Sequence, residues 1–213
     1  ASNNRDVLIA RFDSNGDLDW HHVVSGLGKE VVNSLAVDSN DRVIIAGSFT
    51  NTITIGGTTL SAPGTKHDGF VAQLSAVGVP LWAVQVGAGV GTNTVRGVAI
   101  GDGDEVLITG ELQGTASIAG GQSIDTSINI DSGLASPDAF VAKLDAAGIL
   151  QWNRSMGSGR VDRGHLASWN GSDSYVVALL MTADIGETVN VEGTLVDSGE
   201  NGDIVLVRYS SDG

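Results

Sequence analysis

The hydrophobic positions of this chain fall into short runs of Val, Ile and Leu, separated by clusters of Gly, Asn and Asp. No 11-residue window carries apolar residues convincingly at i, i+3, i+4 and i+7, so the pattern does not predict helices. Short apolar runs bounded by turn residues are typical of β-strands. The pattern therefore predicts an all-β chain.

One pair of predicted strands recurs along the chain with similar spacing. The copies begin at Asp6 (DVLIARFDSNGDLDW), Asp68 (DGFVAQLSAVGVPLW) and Asp138 (DAFVAKLDAAGILQW), and a shorter fourth begins at Asp203. These starting residues are 62 to 70 residues apart. Such a period is too long for a single hairpin and indicates a repeat architecture.

A second pair of strands recurs between these segments. Residues 33–49 (NSLAVDSNDRVIIAGSF) match residues 96–112 (RGVAIGDGDEVLITGEL), and residues 164–181 match both more loosely. Each repeat therefore offers four strands and an insertion of variable length. One small sheet cannot bury both faces alone, whereas sheets packed face to face around an axis can, so the repeat predicts a β-propeller.

The repeat also predicts where the blades of this propeller lie within a single region, residues 1–213. Residues 33–87 and 94–157 form two blades, residues 5–26 supply the last two strands of a preceding blade, and residues 165–213 form an incomplete one. Propellers typically have four to eight blades, so these cannot close a ring. We expect a piece of a longer chain, and alternatively several copies that assemble. Open blade edges would favour self-association.

Several motifs resemble the seven-bladed β-propeller repeat family of bacterial secreted and surface proteins. They are DAFVAKL (138–144), the Gly-Ser-Gly loop (157–159), LAVD (35–38) and VLITG (106–110). The resemblance covers nearly the whole chain. It implies a rigid scaffold or recognition module, extracellular or at the bacterial cell surface, with no chemistry common to the family.

The segment LDAAGILQW (144–152) is similar to the tryptophan-docking motif of quinoprotein-type propellers, although it is one residue shorter between Asp and Gly. The quinone cofactor therefore does not carry over. A large apolar ring that repeats in register can cover the seam between neighbouring blades. We assign this structural role to Trp20, Trp82 and Trp152.

Three glycines follow these tryptophans at the end of the same segment. They are Gly26, Gly87 and Gly157. GAGVG (87–91) has the composition of a phosphate-binding loop, but it lacks a following helix and aligns with the GLG and GSG loops of the sister repeats. We interpret all three glycines as structural parts of connections between blades.

The net charge of the chain disfavours two classes of binding partner. The chain has 25 Asp and Glu against 11 Lys and Arg, a net charge of −14, which disfavours nucleic acid and anionic membrane surfaces. The longest apolar run, YVVALLM (175–181), is far shorter than the ~20 residues that span a bilayer, so membrane insertion is not predicted. With no cysteine, the chain has no disulfides.

The acidic turn DSNGD (13–17) alternates oxygen ligands as calcium loops do. An EF-hand loop would need Gly and a carboxylate where this chain has Leu18 and Val24. Turn chemistry is our favoured interpretation, with bound calcium as the alternative. We predict no other cofactor, and no catalytic or metal-ligating residue. Asp38 and Asp162, acids that break the repeat, are interpreted as turn or surface residues.

The insertions differ most between repeats. They span residues 50–67, 113–137 and 182–202, and each contains a short hairpin-like piece. Variable loops on a rigid scaffold are where binding is usually placed, so we expect a protein or glycan partner there. The alternative is that each hairpin packs only against its own blade. Two rival functions stay open: a propeller enzyme, either a hydrolase or a quinoprotein, that needs further blades, and a self-assembling structural protein.

Overall fold

A computed structural model describes residues 5–62, 66–87, 91–114, 116–118, 123–124, 136–182, 188–191, 194–196 and 202–213. All the regular elements in these ranges are β-strands, so the prediction of an all-β chain is confirmed. In the same ranges, no helix is long and apolar enough to cross a membrane.

The strands form four main antiparallel sheets, which we name A to D, and one separate hairpin. Sheet A consists of β1 (Val7–Phe12), β2 (Leu18–Gly26), β5 (Thr52–Ile55) and β6 (Thr58–Ser61), in that order. Sheet B consists of β12 (Ser123–Ile124), β11 (Ala116–Ile118), β8 (Pro80–Gly87), β7 (His67–Leu74), β4 (Val43–Thr50) and β3 (Glu30–Val37). Sheet C consists of β14 (Leu150–Met156), β13 (Pro137–Leu144), β10 (Val106–Gln113) and β9 (Thr94–Ile100). Sheet D consists of β15 (Arg163–Trp169), β16 (Ser174–Met181) and β19 (Asp203–Ser210). The separate hairpin pairs β17 (Val189–Val191) with β18 (Thr194–Val196).

The four sheets pack face to face in chain order, with a hydrophobic core at each of three junctions. The core between sheets A and B includes Val24, Ile53, Phe49 and Phe70. The core between sheets B and C includes Ile44, Val71, Val98 and Phe140. The core between sheets C and D includes Leu107, Val141, Tyr175 and Leu179. Strands β7 and β13 are buried along nearly their whole length, because both of their faces are covered.

The insertion hairpins join the sheet that precedes them. Strand β5 pairs with β2 through Gly26 and Ile53, and β11 pairs with β8 through Gly87 and Ser117. In sequence, each hairpin lies between two strands of one sheet. In space, it pairs with a strand of the preceding sheet and extends the hydrogen-bond ladder of that sheet. The alternative that each hairpin packs only against its own sheet is therefore wrong for these two hairpins, because their backbone hydrogen bonds tie consecutive sheets together.

Candidate functional site

Two of the repeated tryptophans dock on a turn of the following sheet. The indole Nε1 of Trp20 donates to the carbonyl of Ala76 at 2.9 Å, and that of Trp82 donates to Ala146 at 3.2 Å. Each ring lies against the glycine two residues further along that turn. A Cβ atom would come within 2.5 Å of the Trp20 ring at Gly78 and within 2.9 Å of the Trp82 ring at Gly148. The tryptophan thus fixes one sheet to the next by both contact and hydrogen bond.

The third tryptophan makes the same ring contact without the same hydrogen bond. Trp152 lies against Gly213, where a Cβ atom would come within 3.0 Å of the ring. Its Nε1 is buried and has no acceptor in the part of the chain that the structure describes. The equivalent turn carbonyl, that of Ser211, accepts instead from Nζ of Lys143. A lysine therefore replaces the indole as the donor at this junction.

The three repeated glycines lie at or just after the end of β2, β8 and β14, the second strand of each repeated pair. Gly26 and Gly87 end β2 and β8 and are the residues at which the insertion hairpins pair. Gly157 follows β14 and lies against Asp138, whose carboxyl carbon would be 2.4 Å from a Cβ atom at that glycine. These glycines therefore lie where the strand comes close to other backbone or to a buried carboxylate.

The first strands of sheets B, C and D each contain a β-bulge at the same place in the repeat. The ladder skips Asn33 in β3, Arg96 in β9 and His165 in β15. A bulge changes the direction in which a side chain points and is frequent near binding sites. Nδ2 of Asn33 donates to the carbonyl of Val95 at 2.8 Å, which joins β3 to the neighbouring strand β9.

At the other two bulges the structure gathers a charged cluster between sheets C and D. Arg96 donates from a terminal nitrogen to Oε1 of Glu111 at 2.8 Å, and Arg163 donates from Nε to Oε2 of the same carboxylate. The Glu111 side chain is only 8% exposed, whereas those of Arg96 and Arg163 are 32% and 35% exposed. Two guanidinium groups thus share one carboxylate, which leaves a local charge of +1 on a chain of net −14.

His165 lies beside this cluster. Burial, and after it the positive charges of Arg96 and Arg163, lower the pKa of its imidazole. Its side chain is therefore neutral at neutral pH and can both donate and accept a hydrogen bond. The sequence alone assigned no role to His165.

Sequence reasoning also missed Glu111, Arg96 and Arg163, although a signal for the first two was present. The aligned segments 33–49 and 96–112 place Arg96 opposite Asn33, and Glu111 opposite Ser48. A charged pair that appears in only one repeat indicates a local role, because positions that serve the architecture tend to recur. What the alignment could not show is the bulge that brings both side chains to one edge.

The acidic turn at residues 13–17 uses its first carboxylate to close the turn. Oδ1 of Asp13 accepts from the backbone N–H of Asn15 at 2.8 Å and of Asp17 at 2.9 Å. These two backbone bonds, that from Asp17 first, lower the pKa of Asp13. In the described part of the chain, no group of three or more His, Cys, Asp or Glu is placed to hold a metal ion. Bound calcium stays an untested alternative.

The two acids that break the repeat lie inside the fold. Asp38 closes the β3–β4 turn and accepts from Nε of Arg42 at 2.6 Å, which agrees with the interpretation as a turn residue. Asp162 is fully buried, so the interpretation as a surface residue is wrong. It accepts from the backbone N–H of Ser158 and of Thr182, at 2.7 and 2.6 Å. Burial raises its pKa to about 6, partly offset by those donors.

Sheets A and D, the first and last in chain order, each have an exposed apolar face. The head face, on sheet A, is formed by Leu8, Phe12, Leu18 and Val23. The tail face, on sheet D, is formed by Leu166, Val176, Ile204 and Leu206. A cleft of about 390 Å³ on the tail face is lined by His165 and by apolar side chains that include Leu166 and Ile204.

No protein-family model matches this chain, and no curated protein matches it either.

Proposed function

We propose that the chain is part of a β-propeller that serves as a non-catalytic scaffold or recognition module. The repeat, the face-to-face stacking in chain order and the tryptophan contacts at each junction all support a propeller arrangement. In this proposal the sheets form a rigid scaffold, and the surfaces that differ between repeats bind a protein or glycan.

The observation that carries the proposal is a match between the end faces and the buried junctions. Leu8 is two residues after its starting aspartate, as Phe140 is, and it is 65% exposed whereas Phe140 is 0% exposed. Leu206 is three residues after its starting aspartate, as Val141 is, and it is 69% exposed whereas Val141 is 0% exposed. The positions that are exposed at the ends are the positions that are covered by a neighbouring sheet in the middle.

The head face is therefore equivalent to a surface that accepts the preceding sheet, and the tail face to one that accepts the following sheet. Exposed apolar patches of this kind mark interaction sites. The partner that fits both is a further sheet of the same repeat, and a second copy of this chain offers one at each end.

Light scattering over a range of concentrations tests this proposal. We expect a molar mass above that of one chain that rises with concentration. Leu206→Lys, which places a charge on the tail face, should lower it to that of one chain. Val79→Lys is the matched control, because Val79 is also exposed but lies in the β7–β8 turn. One chain at every concentration, or an equal effect of both variants, would contradict the binding of a second copy at the end faces.

A further inference from the structure

We propose that Arg96 and Arg163 form a binding site for a singly charged carboxylate, such as that of a sugar acid. The site lies at the junction of sheets C and D, on the edge formed by β9 and β15, and it borders the tail face through His165, which also lines the cleft there. It goes beyond the scaffold role, because it rests on the contacts of Arg96 and Arg163 with Glu111 inside one chain.

The donors of the two guanidinium groups are incompletely used. A guanidinium has five N–H donors. Glu111 accepts one bond from each arginine. In the described part of the structure, Nε of Arg96 is buried without an acceptor. Both side chains are about one-third exposed, so the terminal nitrogens that are not bonded to Glu111, rather than the buried Nε of Arg96, are the donors that a ligand can reach. An acceptor with two oxygens in one plane matches this arrangement, because guanidinium and carboxylate pair through parallel hydrogen bonds.

The charge of the site selects the class of ligand. Two arginines and one glutamate leave one positive charge to be neutralised, and a carboxylate carries one negative charge. The rest of the chain brings the net charge to −14, and this field opposes ligands with several negative charges. A monocarboxylate is thus favoured over a polyphosphate or a polyanionic chain.

Glu111 also positions the two arginines of the proposed site. It is the internal counter-ion that holds the two side chains from neighbouring sheets at one point, and its negative charge repels the carboxylate of the ligand. The neutral imidazole of His165, on the bulge next to Arg163, can hydrogen-bond to a hydroxyl group of a ligand. Together they would suit a carboxylate that carries hydroxyl groups beside it.

Titration by NMR with acetate, glucuronate and glucose tests the site. We expect both carboxylates to shift the signals of Arg96, Arg163 and their neighbours, whereas glucose should not. Stronger binding of glucuronate would assign the site to sugar acids, and equal binding of acetate would assign it to carboxylates in general. Equal shifts with glucose, or no shifts with any of the three, would overturn the inference.

Variants separate a binding role from a structural one. Arg163→Gln should weaken glucuronate binding roughly tenfold or more, since it removes a charged hydrogen-bond donor. Arg154→Gln makes the same charge change on β14 and should leave binding unchanged. Glu111→Gln keeps an amide oxygen that can accept from the arginines, and it should tighten binding because the negative charge that repels the ligand is lost. Arg163→Lys keeps the charge and should still bind more weakly than the native chain. If Arg154→Gln weakens binding as much as Arg163→Gln, or Glu111→Gln also weakens it, the assignment is wrong.

Discussion

Trp82 and Ala146 belong to consecutive sheets and are joined by a hydrogen bond of 3.2 Å from the indole Nε1 to the backbone carbonyl. The same bond, of 2.9 Å, joins Trp20 to Ala76. A side chain of one repeat thus contacts the backbone of a turn in the next by a hydrogen bond at two of the three junctions, whereas Lys143 is the donor at the third.

The tryptophan contact predicts a cost for a side chain at the turn glycine. Gly78→Ala should destabilise the chain by about 2 kcal/mol or more, because φ is +80° there and the new Cβ would meet the Trp20 ring. Gly16→Ala is the matched control: its φ is +88° at the same turn position, but no atom lies within 4 Å. Urea denaturation measures both. Equal losses in the two variants would show that the ring contact adds nothing beyond backbone strain.

The hydrogen bond itself can be separated from the ring contact. Trp82→Phe should lower the free energy of unfolding by about 1 kcal/mol more than Trp152→Phe does. Of these two residues, Trp82 has an acceptor for its indole N–H and Trp152 has none in the described part of the chain. The free energy of unfolding of both variants in urea provides the comparison. The prediction fails if Trp152→Phe costs as much as Trp82→Phe.

The sequence predicts the all-β class because alternating short apolar runs and Gly/Asn/Asp turns leave little choice of element. The repeat also singles out Trp20, Trp82 and Trp152 as equivalent residues. Their acceptors could not be predicted, because the turn carbonyls of Ala76 and Ala146 are backbone groups that carry no side-chain signal. The cluster around Glu111 was not predicted for another reason: its members are far apart in sequence, and β-bulges bring them together.

The insertion hairpin predicts a local effect on the exchange of backbone amides with solvent. Gly26→Ala should make residues 52–61 exchange faster, because a Cβ there would lie 2.1 Å from the carbonyl oxygen of Thr52, which the hairpin brings against β2. Gly57→Ala, in the turn of the same hairpin with no atom within 4 Å, should leave that exchange unchanged. Hydrogen–deuterium exchange followed by mass spectrometry measures this. Unchanged exchange in Gly26→Ala would show that the hairpin does not depend on pairing with β2.

Asp162 predicts a contribution to stability that depends on pH. Its pKa is about 6 in the folded chain against an ordinary value of 3.8, so the folded state binds more protons between these values. The contribution is fully present below pH 3.8 and is lost as the pH rises through 6, by at most about 3 kcal/mol. The difference in unfolding free energy between the native chain and Asp162→Asn should therefore shift against the native chain from pH 4 to pH 7. A constant difference across this range would contradict the raised pKa.

We propose that the head face of one chain binds the tail face of another. Two variants test it together: Leu8→Lys with Phe12→Lys blocks the head face, and Ile204→Lys with Leu206→Lys blocks the tail face. Each blocked chain keeps one free face, so each alone should have the molar mass of one chain by light scattering, and an equimolar mixture should form a complex of two. Assembly of either variant alone, or no complex in the mixture, would contradict head-to-tail packing.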